Sequence, residues 1–277
     1  LVIPNVPNKP IIGSSTTAVA NNITIDASSS LSVNAGGNLT INGNLTQNGT
    51  LTIISDAAAN GSLIAKGTAT GNVTYNRYLT NTNWHLIGAP VSGQSINSFS
   101  GSLLTSGTNN NKSIAVYNNN FVSAFRWGYY RTLNFTGTLN VNNAGETIAI
   151  TDGGDDPNGN RWNLIANPYT AAISGSNAAD ATNNFLKVNN DASNLDPTKG
   201  GLYLWNGSSP YVVKSVDDAA FYIAPGQAFF VHAPDGGGTS ASFTEAMQSH
   251  QTGNIFLRSS TSYPEIILNL SDGSNNS

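Results

Sequence analysis

Short triplets with apolar first and third residues fill the opening quarter of the chain: Ile23-Thr24-Ile25, Leu31-Ser32-Val33, Leu39-Thr40-Ile41, Leu51-Thr52-Ile53 and Leu63-Ile64-Ala65. A period of two marks strands that bury one face. Between the triplets lie Asn34 to Asn38, Asn42-Gly43-Asn44 and Asn48-Gly49, which are turn chemistry. Brief strands separated by tight polar turns predict a β-solenoid over 1–75, preferred to a sandwich of short strands. So few turns need a cap or a docked neighbour over the open end.

Past Val73 to Leu79 the pattern changes, and all four Trp lie beyond it. Three segments recur in the same order. Trp84-His85-Leu86-Ile87-Gly88-Ala89-Pro90 matches Trp162-Asn163-Leu164-Ile165-Ala166-Asn167-Pro168. Ile114 to Asn119 matches Leu202 to Gly207, and Gly145 to Ile150 matches Gly226 to Val231. The offsets are 78, 88 and 81 residues. Two equivalent strand sets predict an internally duplicated, jelly-roll-like β-sandwich over 76–235, with halves 76–155 and 156–235. Residues 236–277 read as terminal strands, either paired back onto the sandwich or opening a further domain. Helical periodicity is nearly missing, the best candidate being Ala178 to Val188. No flexible linker separates solenoid from sandwich, so a stiff junction sharing apolar contacts is expected.

Composition narrows the function classes. Charged residues are 9% of the chain against about 25% in an average protein. Asn, Ser, Thr and Gly therefore keep the surface wet. The net charge is −4, with only 11 scattered basic residues, which argues against a nucleic-acid surface and against an electrostatic membrane anchor. There is no Cys, so disulfides and thiolate chemistry are excluded. No apolar run is long enough to span a membrane, and Leu1 to Pro10 do not read as a signal peptide.

The segments Asn76-Arg77-Tyr78-Leu79, Trp84 to Pro90, Trp162 to Tyr169, Tyr203 to Gly207, Ile223 to Val231, Phe243 to Met247 and Phe256-Leu257-Arg258 carry a likeness. Over roughly residues 73 to 270 the chain resembles modules of surface and secreted proteins exported by the type IX secretion system of Bacteroidota. The resemblance implies an extracellular or cell-surface location. It also implies engagement of the export machinery through a separate sorting domain that is not visible here. It supplies no catalytic residues.

Candidate chemistry is sparse. The three His, His85, His232 and His250, lack the close spacing of a metal pair, and no Gly-x-Ser-x-Gly elbow is present. Few carboxylates exist from which to choose a glycosidase pair. A non-catalytic protein with no resident cofactor is expected. Asp152, Asp155, Asp156 and Asn158 gather hard oxygens on a Gly-rich loop and are the candidate Ca²⁺ ligands, against the reading of a solvated turn. A second polar loop, Asn189 to Asp196, is a weaker candidate. Arg126, Trp127, Tyr129 and Tyr130 form a ring-rich segment that could stack on sugar faces, against the reading of core and edge. The expected function is an adhesin-type structural segment that self-associates or meets a cell-surface partner. The alternative is a carbohydrate-binding module assisted by calcium.

Overall fold

The structure, a computed structural model, describes residues 1–79, 85–94, 105–106, 111–112, 115–117, 119–120, 127–129, 137–141, 144–155, 158–205, 211–251 and 253. Among the described residues it is all-β apart from one short helix and one 3-10 turn, with a solenoid first and antiparallel sheets after it.

Eleven strands build the solenoid: β1 (Val2–Ile3), β2 (Ile11–Ile12), β3 (Thr17–Ala20), β4 (Ile23–Ile25), β5 (Ser30–Val33), β6 (Asn38–Ile41), β7 (Leu45–Gln47), β8 (Thr50–Ile54), β9 (Ser62–Ala65), β10 (Ala69–Thr70) and β11 (Thr74–Asn76). They form three parallel sheets, ordered β1-β4-β7-β10, β2-β5-β8-β11 and β3-β6-β9. The chain thus winds through three full turns and part of a fourth, each face receiving one strand per turn. Registered partners such as Val2 and Thr24, Ser30 and Thr50, or Asn38 and Ser62 set each turn at 20 to 24 residues.

The triplet pattern explains the core. First and third residues point inward and stack turn on turn: Ala18, Leu39 and Leu63 in one row, Ala20, Ile41 and Ala65 in the next. Middle residues point outward and align hydroxyls, as Thr24 with Thr46 and Ser32 with Thr52. The corners use Asn in the same stacked manner. Asn22 Oδ1 accepts from Asn44 N at 2.8 Å, and Asn44 Oδ1 accepts from Thr68 N at 3.1 Å. A side-chain amide at each corner thus serves the backbone of the next turn.

The two ends of the stack differ. At the later end, Val91 and Leu139 join the solenoid core, with Val141 packed against it. There Val73 N donates to Gly137 O (3.0 Å), and Ser92 and Thr138 pair as a bridge. Past β9, Leu63 N donates to Thr170 O (3.3 Å) and Thr170 Oγ1 donates to Leu63 O (2.7 Å). His250 adds a polar joint, with Nε2 2.9 Å from Thr40 Oγ1 and Nδ1 2.8 Å from Ser62 Oγ. The junction thus has the shared apolar contacts expected, joined by polar ones. At the first turn, β1, β2 and β3 each stand last in their sheets. Leu1, Val2, Val6, Ile11 and Val19 are exposed there.

The second part begins with the short pairs β12 (Thr105–Ser106) with β13 (Asn111–Lys112), and β14 (Ala115–Tyr117) with β15 (Trp127–Tyr129). Then follow β16 (Glu146–Ile150), β17 (Trp162–Ala166), β18 (Ala172–Ser174), α1 (Phe185–Asp191), β19 (Leu202–Leu204), β20 (Val212–Lys214), β21 (Tyr222–Ile223), β22 (Ala228–His232), β23 (Thr239–Phe243) and β24 (Gln248–Ser249). One layer is the four-stranded sheet β17-β22-β19-β20. Its inner residues Ile165, Leu202, Leu204, Phe229 and Val231 share a core with Ile150 and Phe243 of the β16–β23 pair, Ile173 and Ile223 of the sheet β21-β18-β24, and Phe185 and Leu186 of α1. β23, in the stretch set apart at 236–277, lies antiparallel to β16, and its Phe243 is fully buried in this core. The terminal strand readings at 254–270 fall outside the described residues.

The duplicated segments meet in space. Ile87 bridges to Gln227, Gly88 N donates to Gly226 O at 2.8 Å, and a Cβ on Gly88 would collide with that of Ala166, its own counterpart in the repeat. Gly145 and Gly226, matched by the repeat, both take positive φ (83° and 65°) just before a strand, a conformation that favours glycine. The helix lies later than its sequence candidate. Asp180 Oδ1 accepts from Thr182 N and Asn183 N, folding 180–183 into a turn, and Asn184 then caps α1 through Lys187 N at 2.8 Å. No helix among the described residues is long and apolar enough to cross a membrane.

Candidate functional site

Strand alternation puts Trp162, Tyr203, Phe230 and His232 on the outer face of the four-stranded sheet, opposite the core residues beside them. The Trp162 ring meets His232 at 4.6 Å and Tyr203 at 4.5 Å, both edge-to-face. Farther along, Phe230 is flanked by Tyr117 (4.8 Å) and Tyr211 (5.6 Å), and Tyr211 lies 5.2 Å from Trp205.

The loop from Ala192 to Gly201 folds over this face and is tied by charge. Asp196 N donates to His232 O at 3.0 Å. Asp196 Oδ1 accepts from Thr198 N (2.8 Å) and Thr198 Oγ1 (2.7 Å). Asp196 Oδ2 lies 3.0 Å from His232 Nδ1, at ion-pair distance but off the line of a good hydrogen bond. Arg161 approaches Asp196 at 3.9 Å and Asp235 at 3.6 Å. Burial would raise the Asp196 carboxyl, but the two Thr198 hydrogen bonds and the charges of His232 and Arg161 outweigh it and hold the group below its usual range. For His232, burial and then the Lys199 charge push the imidazole down, against the pull of Asp196. The lowered pKa favours the neutral ring near pH 7. Its Nε2 lies 3.4 Å from Lys199 Nζ, whose ammonium also sits 5.5 Å over the Trp162 ring. The nitrogen that a general base would use thus faces a cation instead of a hydroxyl nucleophile.

Beside this cluster opens a groove of about 570 Å³, bounded by Asn190, Lys199, Gly201, Tyr203, Val213 and Pro234. A second cavity of similar volume lies between the solenoid and the turn at Glu245, lined by Thr40, Ile64, Lys66 and Gln248.

The residues singled out by the sequence are dispersed. Trp127 and Tyr129 lie on β15, whose backbone pairs with β14; their side chains, and the whole of Arg126 and Tyr130, fall outside the described residues. Asp152 Oδ1 accepts from Gly154 N and its Oδ2 from Gly236 N, each at 2.8 Å, which anchors the loop to the turn after β22. Those two amides hold the Asp152 carboxyl below its usual range. The Asp155 carbonyl accepts from Asn158 N and Gly159 N, both at 3.1 Å, and Asp156 is outside the described residues. Among the described residues no group of three or more His, Asp or Glu is placed to hold a metal ion. His250 sits at the solenoid joint, apart from the His232 cluster. The groove residues Asn190, Lys199 and Tyr203 were not singled out as a site. The polar run Asn189 to Asp196 was the one sequence signal pointing toward them.

A protein-family model covers residues 1–276, and that family is described as a domain of unknown function, DUF8693. The chain belongs to that family. Its match spans solenoid and sandwich together, in line with the shared contacts at their junction. No curated protein and no solved structure matches the chain.

Proposed function

We propose that this chain is a non-catalytic, adhesin-type structural segment displayed outside the cell, carried there by type IX export through a sorting domain elsewhere, and that copies associate through the first turn of the solenoid. The observation that supports this reading is the asymmetry of the stack. One end has its strand edges met by Gly137 and Thr170 and its core covered by Val91 and Leu139. At the other, β1, β2 and β3 are terminal in three sheets and carry exposed Val2, Ile11 and Val19. Open strand edges with apolar side chains are templates for pairing with another chain. The hydroxyl rows and Asn corners supply a neutral wet surface, which suits a displayed stalk.

Display is tested by shaving intact cells of the native host with protease and following the chain with an antibody. Release of the chain into the medium without cell lysis is expected. Recovery solely from the cytosolic fraction of lysed cells overturns the proposal.

A further inference from the structure

We propose that the groove beside Tyr203 and Lys199 binds an acidic glycan through a carboxylate-bearing sugar. The site goes beyond the display role and does not depend on it.

Three observations fix the chemistry. First, the groove wall includes Lys199 and Lys214 and, among the described residues, no carboxylate, on a chain whose net charge is −4. The nearby Asp196 is already engaged by Thr198 and His232. Lys214 is turned along the sheet edge, 4.0 Å from Asp218 and over the Phe221 ring, so Lys199 is the cation available to a ligand. Its ammonium is steadied by His232 Nε2 and the Trp162 ring, and an ammonium carries three donors.

Second, Asn190 anchors the loop that carries Lys199. Its Nδ2 donates to Gly200 O at 2.9 Å, while its Oδ1 has no hydrogen-bond partner among the described residues. That oxygen is shut off from solvent, and a side chain on Gly200 would collide with it, so the close packing there requires glycine. Third, the Tyr203 ring is wedged edge-on against Trp162 and supplies a fixed flat wall with a hydroxyl at its tip. A cation held in place and a rigid ring together match a sugar that bears a carboxylate and hydroxyls. A volume of about 570 Å³ suits one or two such residues in an open groove. One available cation is too few for a polyphosphate or a nucleic-acid strand.

The test is an array of uronate- and sialate-bearing glycans, each paired with its carboxyl methyl ester, probed with the full chain and then measured by calorimetry on the best binder. Binding of the acid form and at least about tenfold weaker binding of its ester are expected, since one charge-assisted hydrogen bond carries roughly that factor. Lys199→Gln should reproduce the loss on the acid form, and Tyr203→Phe, which keeps the ring packing, should weaken both forms modestly. Thermal melting of each variant confirms that the fold is intact. No binding of any acid glycan, equal binding of acid and ester, or full affinity in Lys199→Gln each overturns the proposal. A loss confined to Trp127→Ala overturns it too, and moves recognition to the β14–β15 ribbon.

Discussion

Asn189 performs the work of a missing strand, and removing it has a calculable cost. The side chain is fully buried at the end of α1. Its Nδ2 donates to Phe185 O (2.9 Å) and Ser242 O (3.0 Å), and its Oδ1 accepts from Ser242 N (2.7 Å) and Asn194 Nδ2 (3.1 Å). Both backbone groups of Ser242 that point away from β16 are thus met by one amide, which closes the free edge of β23. Asn189→Ala strands that N–H and that C=O. Each stranded group costs about 1–3 kcal/mol; Ser242 is half-buried, so the lower half applies and the total is roughly 2–4 kcal/mol. With a urea dependence on the order of 2–3 kcal/mol per molar, the unfolding midpoint followed by Trp fluorescence should fall by about 1 M. Asn189→Asp keeps the shape but turns an oxygen toward the Phe185 and Ser242 carbonyls. It should be at least as destabilising at neutral pH, with a deficit against wild type that narrows once the carboxyl is protonated. A midpoint for Asn189→Ala indistinguishable from wild type would refute the edge-closing role.

Acid should loosen the protein through its buried imidazoles. Burial lowers the pKa of both His232, where the Lys199 charge adds to it, and His250. Their stabilisation is therefore fully present above the ordinary value of 6.5 and is lost as pH falls below it through the native values, because the unfolded chain binds more protons. Urea midpoints across that range should decline, and His232→Asn with His250→Gln should flatten the slope; an unchanged slope in the double variant contradicts the assignment. Gly88→Ala places a methyl against Ala166 where the two repeat copies touch, and overpacking of this kind costs about 1–3 kcal/mol. A melting temperature equal to wild type would mean that the two copies do not meet there.

The solenoid was legible because its strands obey a strict period of two. All five triplets named from the sequence fall within strands, β4, β5, β6, β8 and β9. The strands that gave no signal are those where the pattern is too brief or broken. β1, β2 and β10 are two residues long, and β7 puts Gln47 into the row occupied by Ile3 and Ile25. That Gln bonds its own turn through Gly49 O, a local solution invisible to hydropathy. The repeat of the Trp-x-Leu-Ile motif was legible as well, but its contact across Gly88 and Ala166 was not, since the partners are 78 residues apart. The groove escaped for a similar reason. Lys199, Tyr203 and Asn190 look like ordinary loop and strand residues until the loop folds back over Trp162 and His232. Carboxylate-rich Asp152 to Asp156 drew attention instead, and the structure gives Asp152 the backbone-anchoring work of a turn.

The proposal of association through the first solenoid turn is tested most directly by multi-angle light scattering over a wide concentration range, with Ile11→Lys and Val19→Lys as the matched variant. Both residues are more than half exposed, so the lysines leave the fold intact. A mass that climbs above 28.8 kDa with concentration in the wild type, and stays at 28.8 kDa in the variant, is the predicted result. A wild-type chain that remains at 28.8 kDa at every concentration, or a variant that associates equally well, contradicts it.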